Sequence, residues 1–140
     1  MVTRSSLRDW LHGYERAWRT PGGPDLDRAL AALFAPEATY SKAPFERPQQ
    51  GLPEIGQMWE AERKGPDEPF TMMAEVVAVD GEANTGVFRL EVQYGKPSEQ
   101  LYRDLWIVRF DPEGRCEHFE EWPFSPPAGA GSSPHGPAGA

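Results

Sequence analysis

Val87-Phe88-Arg89-Leu90-Glu91-Val92 is followed by Tyr102-Arg103-Asp104-Leu105-Trp106, which runs through Asp111-Pro112-Glu113-Gly114 to Phe119-Glu120-Glu121-Trp122. All three runs read as strands, yet charged residues alternate with large apolar ones. A strand sends alternate side chains to opposite faces, so Arg89 shares a face with Glu91, and Asp104 with Trp106. If the inner face carries them, the chain holds carboxylates and an arginine inside an aromatic hollow. Such a hollow suits acid–base work on a small molecule.

Working outward, residues from Phe70 onward keep the two-residue period. Thr71 to Val79, Thr85 to Tyr94, Leu101 to Phe110 and Arg115 to Phe124 read as strands. Asp80-Gly81 and Pro112-Glu113-Gly114 are short connections that favour antiparallel neighbours. Ahead of them the period is helical. Ser5 and Ser6 suit N-caps, and Leu7, Trp10, Leu11, Tyr14, Ala17 and Trp18 form one apolar stripe. Thr20-Pro21-Gly22-Gly23-Pro24 stops that helix. Asp25 then caps a second, with Leu26, Ala29, Leu30, Leu33 and Phe34 on its buried side, and Pro36 ends it. Ala38-Thr39-Tyr40 reads as a short strand. A third helix starts near Leu52-Pro53-Glu54 and closes at Lys64-Gly65-Pro66. Helices first and an antiparallel sheet after them predict an α+β domain over residues 1–124. Residues 125–140 are Pro, Gly, Ala and Ser with almost nothing to bury, and read as a disordered tail.

Composition narrows the function. The chain has 140 residues, enough for one core, and a formal charge of −8 with no basic stripe. Nucleic acid is therefore not expected as a partner. No apolar run reaches membrane-spanning length and no signal-like leader opens the chain, so a cytoplasmic location is the expectation. The single cysteine, Cys116, and the unspaced His12, His118 and His135 offer no disulfide and no metal set. No nucleotide-binding fingerprint is present. Neither cofactor nor metal is expected.

A register follows if Phe110 and Arg115 flank one turn and Tyr94 and Leu101 the other. Asp104 then faces Glu121 and Glu91, and Trp106 faces Phe119 and Arg89. One face gathers Arg89, Glu91, Tyr102, Asp104, Trp106, Val108, Phe119 and Glu121. Two unit charges 4 Å apart cost on the order of 4 kcal/mol at an effective dielectric near 20, so one carboxyl of such a set stays protonated near neutral pH. A single bulge would change the parity. The competing reading puts Arg89 and Glu91 on the solvent face, paired with Arg103 or Arg109, because Phe88, Leu90 and Val92 also make a good core face. His118 faces away from Asp104, and His12 lies off the helical stripe. The five tryptophans are mostly core. Tyr14, Trp18, Trp59 and Trp106 also suit the wall of a pocket for a flat apolar ligand, with Lys42 at its rim.

The order of elements resembles the nuclear transport factor 2-like superfamily, and its SnoaL-like, polyketide cyclase-related branch in particular. The pieces that carry the resemblance are the Trp-rich first helix, Leu33-Phe34-Ala35-Pro36-Glu37-Ala38-Thr39-Tyr40, Gln50-Gly51-Leu52-Pro53-Glu54-Ile55, and Phe110-Asp111-Pro112-Glu113-Gly114-Arg115 leading to Glu121-Trp122. The resemblance implies a cone-shaped, cystatin-like fold with three N-terminal helices on a curved, mostly antiparallel sheet, an apolar pocket and a sheet-mediated homodimer. Compared with limonene-epoxide-hydrolase-like enzymes, Arg89-Leu90-Glu91 stands where an Arg-x-Asp lies. Glu121 stands for a last-strand Asp, and Tyr40-Ser41-Lys42 for a Tyr-x-Asn. Lys42 departs from that pattern, and both acids are one methylene longer.

Two functions stay open at this stage. One is a cofactor-independent isomerase, cyclase, dehydratase or epoxide hydrolase. In it Glu91, Asp104 and Glu121 act as acid and base, Arg89 fixes a carboxylate and Tyr40 holds the reacting oxygen. Tyr14, Trp18, Lys42, Trp59, Tyr102, Trp106 and Phe119 then bind a small hydrophobic substrate. The other is a non-catalytic ligand-binding or dimerisation module.

Overall fold

The computed structural model describes residues 1–63, 69–95 and 100–126. Three helices, α1 (Arg4–Trp18), α2 (Pro24–Leu33) and α3 (Gly51–Glu62), accompany six strands. The strands are β1 (Phe34–Ser41), β2 (Gln49–Gln50), β3 (Phe70–Asp80), β4 (Thr85–Tyr94), β5 (Gln100–Phe110) and β6 (Cys116–Phe124). They form one sheet in the order β2-β1-β6-β5-β4-β3. All pairs are antiparallel except β1 with β6, which is parallel. The expected α+β architecture is present. The Lys64-Gly65-Pro66 stop, His135 and the tail from residue 127 lie outside the described residues.

Local chemistry explains the helix ends. Thr3, not Ser5 or Ser6, caps α1: its hydroxyl accepts from the Ser6 amide while the Ser6 hydroxyl accepts from the Thr3 amide. Gly23 replaces Asp25 as the cap of α2, with Pro24 at the first helical position, where its missing N–H costs nothing. The second helix also stops earlier than Pro36 suggests, because Phe34 already turns into β1 and is fully buried there.

The helices lie on the inner sheet face. Leu7, Trp10, Leu11, Tyr14 and Ala17 of α1 are buried against it. The close approach requires Gly86: a Cβ there would sit 2.7 Å from Leu7 side-chain atoms. The C-terminus of α1 is held from a distance. Arg63 is buried after α3, and its Nη1 donates to the carbonyls of Ala17, Trp18 and Thr20 at 3.3, 2.8 and 2.7 Å. A guanidinium thereby satisfies carbonyls that a helix end leaves open.

The register decides which face each strand residue occupies. Trp106 stands opposite Glu121, and Asp104 opposite Pro123. The expected partners, Phe119 and Glu121, are each displaced by two residues, in part through a bulge between Arg109 and Phe110. An even displacement preserves parity, so Asp104, Trp106, Phe119 and Glu121 all keep the inner face. Between β4 and β5 the displacement is odd: Tyr94 pairs with Gln100 rather than Leu101. Phe88, Leu90 and Val92 consequently turn inward and are buried.

Candidate active site

A cavity of about 390 Å³ opens between the helices and the inner sheet face. Its volume falls within the usual range for a small-molecule site. Tyr14 and Trp18 reach it from α1, Met58 and Glu62 from α3, and Tyr40, with Lys42 just beyond, from β1. Tyr102, Asp104 and Trp106 come from β5, and Glu121 from β6. The helical stripe that builds the core thus also lines the hollow.

The chemistry centres on Asp104 and Glu121. On adjacent strands and two residue pairs apart, they are diagonal neighbours on the same face, within reach of each other's carboxyls. Their mutual interaction favours the neutral form of Glu121 and the charged form of Asp104. Burial raises the Glu121 carboxyl well above its ordinary value, and the hydrogen bond and charge of Asp104 raise it further. Burial raises Asp104 as well, while Glu121 and Trp106 pull it back. Asp104 is 4% exposed, and its Oδ1 lacks a hydrogen-bond partner among the described residues. Burial thus pushes both carboxyls toward the neutral form, Glu121 the more strongly. Such surroundings can set two similar side chains to work as acid and base.

Beside them the hydroxyls of Tyr14 and Tyr40 meet at 2.7 Å. Burial holds both phenols well above their ordinary range, so both stay protonated and one O–H of the pair remains free of the other. At the rim, Lys42 Nζ lies 2.9 Å from Glu62 and 3.9 Å from Glu46. The hydrogen bond to Glu62 is the main reason the lysine ammonium is raised above its ordinary value.

The inward expectation for Arg89 and Glu91 is corrected. Arg89 pairs with Glu75 at 2.7 Å and Glu91 with Arg103 at 3.1 Å, all on the outer face. The odd register step moved both away from the cavity, so of the three expected strand carboxyls only Asp104 and Glu121 face it. Trp59 and Phe119, expected to line the pocket, are fully buried behind it. They pack edge-on against or stack with Tyr14, and so support the wall rather than form it. Trp122 departs from the tryptophan core: it is 39% exposed on the outer face. His118 faces outward as expected, its Nδ1 2.6 Å from the Thr39 hydroxyl.

Sequence reasoning missed Glu62, Glu46 and Tyr94. Glu62 lies on the polar side of α3 and Glu46 in an irregular loop; neither has a periodic signal. Tyr94 carried one, as the inward partner of Phe70, with ring centroids 5.3 Å apart. Among the described residues no cluster of His, Cys, Asp and Glu has the geometry to hold a metal ion. No helix there is long and apolar enough to cross a membrane.

No protein-family model matches the chain. No curated protein matches it either. Solved structures do. A protein described as an isomerase of the SnoaL-like family, from Agrobacterium tumefaciens, is 20% identical with a TM-score of 0.66, over 86% of this chain and 98% of that one. A protein of unknown function with a cystatin-like fold, from Methylobium petroleophilum, is 17% identical with a TM-score of 0.67, over 98% and 99% of the two chains. A protein described as a ketosteroid isomerase, from Parabacteroides distasonis, is 13% identical with a TM-score of 0.55, over 83% and 86%. At these identities the likeness establishes the fold alone.

Proposed function

From a nuclear transport factor 2-like fold with acid and base paired in its hollow, we propose a cofactor-independent enzyme that isomerises a small, largely apolar molecule by proton transfer. The observation that carries this reading is the Asp104–Glu121 pair, two carboxyls side by side on the inner sheet face and both lining an aromatic cavity.

Moving a double bond requires a proton to leave one atom and another to arrive elsewhere. Asp104 is the acceptor and Glu121 the donor. Each such group contributes roughly 10²–10⁴-fold when correctly placed. Of the Tyr14–Tyr40 pair, one O–H is spent on the other phenol and the second is left to donate to an oxygen that gains negative charge as the proton leaves. Tyr102, Trp106 and Trp18 hold the apolar body of the substrate. Two of the similar structures belong to proteins described as isomerases, which favours isomerisation over the other proton-transfer reactions.

The test is solvent-deuterium incorporation into a panel of small cyclic unsaturated ketones and alcohols, followed by mass spectrometry. Incorporation by the wild-type protein, reduced by about 10² or more in Glu121→Gln, is the expected result. Saturable binding of panel members without incorporation would instead identify a non-catalytic binding module.

A further inference from the structure

The charges around the cavity are lopsided. Four carboxyls, Asp104, Glu121, Glu46 and Glu62, line it against one ammonium, Lys42. That ammonium is already engaged by Glu62 and Glu46 and is not free to meet a ligand anion. Even with one carboxyl of the Asp104–Glu121 pair neutral, three carboxyls face one ammonium. The chain's overall charge of −8 adds to the same field.

The inner end is equally one-sided. Asp104 is more than nine-tenths buried, lines the cavity, and has an oxygen that no donor satisfies. A buried acceptor of this kind is costly until a donor arrives. The rings of Tyr14, Trp18, Tyr102 and Trp106 surround the same space. An aromatic face attracts a cation through its quadrupole, most strongly where water is excluded. Carboxylates and aromatic faces together make a receptor for a positive group attached to an apolar body.

We propose that the natural ligand of this cavity is a small apolar amine, bound as its ammonium ion against Asp104 and the surrounding rings. This deepens the acid–base reading and rests on it, because the same carboxyl both anchors the ligand and accepts the proton. An ammonium N–H supplies the donor that Asp104 Oδ1 lacks. An anionic ligand meets repulsion from three carboxylates, and a neutral one forgoes the attraction of the rings.

Three probes of one shape test this: benzylammonium, benzyl alcohol and benzoate. Binding is followed by tryptophan fluorescence and ligand-observed NMR on the full chain. Benzylammonium should bind roughly tenfold or more tightly than benzyl alcohol. Benzoate should not saturate. Asp104→Asn should erase the preference for the ammonium. Glu62→Gln, at a partly exposed rim position compatible with folding, should narrow the gap by releasing Lys42, and it decides the matter if Asp104→Asn fails to fold. Benzyl alcohol binding as tightly as benzylammonium, or benzoate binding best, overturns the amine proposal. Since a ligand would still occupy the cavity, that result leaves the acid–base reading standing. No saturable binding by any probe ends both.

Discussion

The phenol of Tyr14, from the first helix, meets that of Tyr40, from the first strand, at 2.7 Å beside the cavity. One hydrogen bond thus joins the helical layer to the sheet beside the cavity. Removing one hydroxyl leaves the other buried with an unmet need. Tyr14→Phe and Tyr40→Phe should each destabilise by about 1–3 kcal/mol. The double variant should cost less than their sum, with a coupling of roughly 0.5–1.5 kcal/mol in urea unfolding. Strict additivity would show that the hydroxyls do not depend on each other.

Glu121 gives the fold a pH dependence of definite sign. Its native carboxyl is raised well above the ordinary 4.5, chiefly by burial. Between that ordinary value and the native one, the native state holds a proton that the unfolded chain has released. The stabilisation is therefore complete below the unfolded value and is lost as pH rises through the native one. Asp104 is raised too and acts in the same direction. Glu121→Gln should flatten the decline and melt higher than wild type near neutral pH. An unchanged slope in thermal melts across this range would contradict the assignment.

Arg63 serves stability rather than chemistry. It gathers three carbonyls at the end of α1 although only 8% of its surface is exposed. Arg63→Met removes the charge but strands those carbonyls. A loss of roughly 2–5 kcal/mol is expected in denaturant unfolding. A change below about 0.5 kcal/mol would mean that water replaces the guanidinium without penalty.

Trp59 is fully buried, with its ring 5.0 Å from that of Tyr14 and 4.8 Å from that of Trp18. Trp59→Ala should cost roughly 3–5 kcal/mol. It should also loosen ligand binding, since two wall residues lean on it. Arg89→Ala is the contrasting case. Its partner Glu75 is exposed, as it is, so loss of the pair should change stability by less than about 1 kcal/mol and leave ligand binding unaltered.

The contrast between Arg89 and Glu121 marks what the residue order made legible. The helical stripe, the sheet and the inward parity of Asp104, Trp106 and Glu121 follow from periodicity, and an even displacement of partners cannot disturb them. The position of Arg89 and Glu91 depends on a single residue in the connection between β4 and β5, where alternation suits either face. Phe88, Leu90 and Val92 won the inner face because burying three apolar side chains is favourable, whereas burying Arg89 and Glu91 would forfeit their hydration. The parallel pairing of β1 with β6 joins segments far apart in the chain, and no local pattern announces it. The rim carboxylates Glu46 and Glu62 also lacked a signal, since single acids on a loop and a polar helix side look like ordinary surface.

The most direct measurement is a carbon-13 NMR titration of the Glu121 carboxyl in the wild-type chain and in Asp104→Asn. A midpoint well above 4.5 in the wild type is expected. It should move downward in the variant, where the neighbouring negative charge is gone, while burial keeps it above the ordinary value. A Glu121 midpoint near 4.5 in both proteins would contradict a shared proton in the hollow, and with it the acid–base chemistry built on that pair.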